Sequence, residues 1–127
     1  MSTTSQVKEN VASADSSSPN KLSKEDLSII DKVREQYEKL SPIFCTNCRY
    51  CMSCPNGVEI PQIFRLYNEG FMYEDHRRSR FFYRELPKDN QAKECNKCHE
   101  FEEKCPQKLP IPEWLEKAHK WLGPKNG

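Results

Sequence analysis

The chain has 127 residues, room for one domain of ordinary size and not for two cores of comparable weight. Apolar residues make up 35% and charged residues 31%, so the hydrophobic core must be thin, and the seven cysteines are the obvious candidates for holding the fold together. Twenty basic side chains against 19 acidic ones leave a formal charge of +1, which gives no electrostatic reason to expect nucleic acid or an anionic membrane as a partner.

Met1 to Asn20 is rich in Ser, Thr, Asp and Asn and has no apolar run of signal-peptide length, so residues 1–20 are expected to form a disordered tail. No later stretch approaches the roughly 20 apolar residues of a membrane-spanning helix, and a soluble cytoplasmic protein is expected. Structure is expected to begin near Leu22. Ser23 is a fitting N-cap, Glu25 and Asp26 place negative charge at the positive end of a helix, and Leu27, Ile30, Val33, Tyr37 and Leu40 recur at helical spacing. Ser41-Pro42 ends that helix.

Past a first group of cysteines, Pro61 suits a first helical position, and Ile63, Leu66, Tyr67 and Phe71 predict a short amphipathic helix in which Gly70 weakens the last turn. Asp75 is set to cap another helix through Arg77 to Leu86, with Phe81, Phe82, Tyr83 and Leu86 as its apolar bulk and Pro87 as its stop. A polar loop from Lys88 to Lys93 leads to a second group of cysteines. A last helix then carries Ile111, Leu115, Ala118 and Leu122 on one face and ends at Gly123-Pro124. No β-strand pattern competes. The order is helix, cysteine loop, two helices, cysteine loop, helix, a pseudo-repeat.

The first group is Cys45, Cys48, Cys51 and Cys54, each separated from the next by two residues and followed by Pro55; the second is Cys95, Cys98 and then Cys105, followed by Pro106. Seven is an odd number, and a reducing compartment disfavours structural disulfides. Three thiolates at three-residue intervals can wrap an iron-sulfur cubane, because a tight turn points the sulfurs inward while backbone N–H groups face the anionic cluster. In two-cluster ferredoxins the cysteine before proline ligates the cluster of the opposite motif.

Applied to this chain, that crossing gives one complete [4Fe-4S] site of Cys45, Cys48, Cys51 and Cys105. A second site, of Cys54, Cys95 and Cys98, is one thiolate short, because Phe101 stands where the fourth cysteine is expected. It could hold a [4Fe-4S] cluster with a replaceable ligand, a [3Fe-4S] cluster, or nothing. His99, Glu100 and Glu102 are near enough in sequence to be weighed as substitute ligands, against the plainer reading of solvated loop residues. Zinc is the rival metal. Cys45/Cys48 and Cys95/Cys98 could make one tetrahedral site, which would leave Cys51, Cys54 and Cys105 without a role.

The run CTNCRYCMSCPNGVEIPQIFRLYNEGFMY, followed by CNKC and EEKCPQKLPIPEWLEKAH, resembles the C-terminal iron-sulfur domain of a group of aldo/keto reductases, over roughly Leu22 to Leu122. The resemblance implies a mainly α, helical ferredoxin-like module with two cysteine-rich cluster-binding loops, and it implies cluster ligation by all seven cysteines. Phe101 departs from a family cysteine. No Asp-Tyr-Lys-His catalytic set can be carried over, and with only polar residues before the first helix the expectation is a module without its own barrel or nicotinamide site.

Residues 21–123 are therefore expected to form the iron-sulfur domain and 124–127 a C-terminal tail. The expected role is one-electron transfer with a separate oxidoreductase as redox partner; alternatives are a structural or docking module and a remnant of a fused reductase. Trp114 and Trp121 read as packing residues, and His76 to Arg84 as a solvated helix face over aromatic core.

Overall fold

The computed structural model describes residues 1–52 and 54–124. It contains five α-helices and, among the described residues, no strand: α1 (Thr4–Ser16), α2 (Lys24–Leu40), α3 (Ile60–Met72), α4 (His76–Glu85) and α5 (Ile111–Leu122). Two short 3-10 turns, Lys88–Asn90 and Ala92–Glu94, precede the second cysteine loop. No helix among the described residues is long and apolar enough to cross a membrane. Beyond Pro124 the expected C-terminal tail lies outside the described residues.

Two compact units divide between Gln36 and Tyr37. In the first, Thr4–Ser16 is helical where composition pointed to a tail without secondary structure. The reason is local: Thr3 accepts from the Gln6 N–H and the Gln6 side chain accepts from the Thr3 N–H, a reciprocal cap that starts a helix without burying any residue. Ser23 and Asp26 begin α2 in the same way, the Asp26 carboxylate accepting from the Ser23 N–H at 3.0 Å and Ser23 Oγ from the Asp26 N–H at 3.1 Å. The helix itself is as expected, but Leu27, Ile30, Val33, Tyr37 and Leu40 are exposed and the helix buries nothing. The expected start of one continuous domain at residue 21 thus gives way to a boundary inside α2.

The second unit holds the core. Helix α3 packs on α4 and α5, burying Ile60, Ile63, Phe64 and Leu66 against Tyr83, Leu115, Ala118 and Leu122. Pro61 and Pro112 occupy the first turns of α3 and α5, where a missing N–H costs nothing. The Asp75 side chain caps α4 by accepting from the Arg78 N–H at 3.0 Å. In α4 the structure corrects the expected apolar bulk: Tyr83 is fully buried and Leu86 packs on the core, but Phe81 and Phe82 face solvent. Gly70 is buried within α3, where an added Cβ would stand 2.4 Å from the Trp121 ring. Trp121 also stacks on Phe71 with centroids 4.8 Å apart and on His76 at 4.0 Å, so it packs helices as expected.

Candidate metal centres

The two cysteine loops share one backbone design. Asn47 and Arg49 have φ of 55° and 65°, and their counterparts Lys97 and His99, at the same offsets from Cys45 and Cys95, have 58° and 59°. Left-handed conformations at non-glycine residues cost of order 1 kcal/mol each and collect at functional sites. Left-handed residues next to right-handed ones are the general way a backbone turns successive N–H groups into a concavity for an anion, iron-sulfur clusters included.

The proline-following segments repeat as well. The Gly57 N–H donates to the Cys54 carbonyl at 3.0 Å and the Lys108 N–H to the Cys105 carbonyl at 2.9 Å, with φ of 72° at Gly57 and 49° at Lys108. Each of these turns leads into an Ile-Pro helix start, Ile60-Pro61 in α3 and Ile111-Pro112 in α5.

Three asparagines bring these segments together. Asn68 on α3 receives the Ile43 N–H at 3.0 Å and donates to the Ile43 carbonyl at 2.7 Å, which fixes the chain two residues before Cys45. Asn56, two residues after Cys54, donates to the Glu94 carbonyl at 2.7 Å, directly before Cys95. Asn90 donates to the Gly57 carbonyl at 2.6 Å while its own carbonyl accepts from the Glu59 N–H at 3.0 Å. The exposed Lys97–Glu116 pair, 2.8 Å apart, joins the second loop to α5; Lys120 and then Lys97 draw the Glu116 carboxyl down to about 2.

The seven cysteines are free thiols and fall into two groups. Cys45, Cys48, Cys51 and Cys105 line one small cavity. Cys54, Cys95 and Cys98 line another, together with His99, Glu100, Phe101 and Glu102. Cys54 thus lines the cavity of the second loop and Cys105 that of the first. The single four-cysteine zinc site is not assembled, because Cys45 and Cys48 line a different cavity from Cys95 and Cys98. Neither tryptophan lines either cavity. Ile60 and Ile111 line both, so a single aliphatic layer is shared between them.

Burial pushes the Cys51 thiol up to about 11, and neighbouring Cys45, Cys48 and Cys105 add to the rise. Cys45 is raised first by burial and then by Cys48 and Cys105, with the Asn47 N–H acting against them. Cys95 repeats the pattern, raised by burial, Cys54 and Cys98 and opposed by the Lys97 N–H. Several thiolates crowded out of water repel one another, and a cationic metal core is the chemistry that reverses that penalty. Four sulfur donors line the first cavity, the donor number a cubane takes. In the second, three sulfur donors face Phe101, which is buried and packed in the core.

Signals missed in the sequence are the left-handed residues, which are not glycines, and the three asparagines, which look like ordinary loop polarity. No family model, curated protein or solved structure matches the chain.

Proposed function

We propose that this chain is a ferredoxin-like electron-transfer module that carries a [4Fe-4S] cluster on Cys45, Cys48, Cys51 and Cys105 and a second cluster on Cys54, Cys95 and Cys98. The observation that carries the reading is the sorting of cysteines from two distant loops into two cavities by the crossed rule, on loops with matched left-handed N–H turns. When bound, such clusters supply reversible one-electron transfer with little structural change.

The chain's own residues define the environment. Ile60 and Ile111 keep water from both cavities, and the loop N–H groups offset thiolate charge, the two levers by which a protein sets a cluster's potential. Cys48 and Cys98 are the exposed cysteines, one per cavity, and give each an edge that a redox partner can approach. The seven free thiols accord with a reducing compartment such as the cytoplasm. The resemblance to the iron-sulfur domain of aldo/keto reductases supports a separate oxidoreductase as that partner.

A second reading, a structural staple, draws on the packing of Cys45, Cys51, Cys54, Cys95 and Cys105 against a thin core. The two separate on one experiment. Anaerobically prepared protein, assayed for iron and sulfide and titrated with a reductant under spin-resonance detection, is expected to take up electrons reversibly. Iron that stabilises the fold but cannot be reduced at an attainable potential would leave the staple; colourless protein holding only zinc would remove both.

A further inference from the structure

The second cavity is lined by three thiols and a phenyl ring, and another residue of its lining, Glu102, carries an unexplained oxygen. Glu102 lines this cavity, and its two carboxylate oxygens have different surroundings. Oε2 lies 3.2 Å from His99 Nδ1. Oε1 is shut away from solvent and has no hydrogen-bond partner. A buried polar atom left unpaired costs about 1–3 kcal/mol, more when charged, and in a native fold it asks for a partner such as an ion.

A solvated loop carboxylate paired with a histidine would account for Oε2 but not for Oε1. Among the three non-cysteine candidates beside Phe101, His99 and Glu100 are exposed. Glu102 alone has an oxygen withheld from water and without a protein partner, and the residue lines the cavity that has three cysteines.

Carboxylate oxygen is an accepted iron donor, and ligating carboxylates are themselves held by neighbouring polar groups, a place His99 takes 3.2 Å from Oε2. We infer that Glu102 supplies the fourth ligand of the second cluster, its Oε1 meeting the iron that Cys54, Cys95 and Cys98 leave without a thiolate. The inference rests on the cluster-binding reading above. It makes the two centres chemically unequal: four thiolates in the first cavity, and in the second three thiolates with a harder oxygen donor that marks out one iron from the other three. Glu102 ligates directly, whereas His99 is a positioning residue.

The test compares the full-length protein with Glu102→Gln, both loaded with iron and sulfide under anaerobic conditions and examined for metal content and spin resonance. Glu102→Gln is expected to lose about one iron per chain and to show a three-iron signal after oxidation that the unaltered protein lacks. Adding Phe101→Cys to Glu102→Gln places a thiolate where the motif expects one and should restore the iron and abolish that signal. Glu113, with a carboxylate oxygen within 4.8 Å of a ring nitrogen of His99 and a carboxylate oxygen of Glu102, serves as the control, and Glu113→Gln should leave metal content unchanged.

Unchanged iron in Glu102→Gln overturns the inference. So does an equal loss in Glu113→Gln, which would assign the group to an ordinary surface cation, and so does a double variant that stays depleted, which would trace the loss to misfolding of the loop. A protein that fills only the first cavity overturns the Glu102 assignment and leaves electron transfer standing; one that fills neither overturns the function itself.

Discussion

The two cysteine loops are near-copies in backbone and unequal in chemistry. Both place left-handed residues two and four positions after their first cysteine, and both turn at Cys-Pro into an Ile-Pro helix. Cys51 nevertheless stands in the first cavity where Phe101 stands in the second, and the first has four sulfurs to the second's three. The buried Phe101 ring adds to the core what the missing thiol removes from the metal site, and the Lys104 ammonium sits over it at 5.0 Å. Backbone design and side-chain identity are thus separable: the second loop keeps the first loop's turns while departing from its cysteine pattern.

The strongest test of that inequality follows from the crossing. Cys105→Ala is expected to empty the first cavity, removing about half the bound iron, although Cys105 belongs to the second loop; the other cluster's signal should persist. Cys54→Ala should do the reverse. If each substitution instead depleted the cavity of its own loop, as metal analysis and spin resonance would show, the crossed assignment would fail, and with it the contrast between four donors and three.

Next in size is a paired loss of anchors. Asn68 makes two hydrogen bonds to Ile43 ahead of the first loop, and Asn56 makes one to Glu94 ahead of the second. Truncating a half-buried amide leaves its backbone partners unmet at about 1–3 kcal/mol. Asn68→Ala should therefore lower the thermal midpoint more than Asn56→Ala, and each should speed iron release mainly from the cavity its own segment enters. Identical release profiles for the two variants would mean that the loops are not anchored separately.

Much of this was legible in the residues. Pro61, Asp75, Pro87 and Gly123 marked helix ends that the structure keeps within a residue or two, and the two groups of cysteines proposed from the sequence line separate cavities. What escaped was whatever depends on a distant part of the chain. The weakness expected of Gly70 is instead the space into which Trp121 fits. Phe81 and Phe82 have the apolarity of core residues, but the helix turns Ser79 and Tyr83 inward. The stripe on α2 has helical spacing yet stays exposed, because periodicity sets a face without supplying something to cover it. At the proposed second metal site Phe101 could be read from the sequence, whereas singling out Glu102 from His99 and Glu100 required the fold, since only three dimensions withhold an oxygen from water.

The smallest expected effect separates the two loops by pH. The first is anchored by Asn68, which does not titrate. The second is entered through Ala92, whose N–H donates to the buried Tyr83 hydroxyl at 3.0 Å, and that hydroxyl lies 2.8 Å from His119 Nδ1. Burial, with the nearby Lys93 charge, holds His119 below its ordinary 6.5, while burial pushes Tyr83 up to about 12, so both are neutral near pH 7. Because the folded pKa of His119 is depressed, the unfolded chain binds the extra proton first. The stability from this contact is complete above about 6.5 and is lost as pH falls below that value toward the folded pKa. A shallow drop in thermal midpoint below pH 6.5 is expected, accompanied by earlier iron loss from the second cavity than from the first, and His119→Gln should flatten it. Were both cavities to release iron in parallel across that range, or the slope to survive the substitution, the histidine would not be what ties the second loop to its helix.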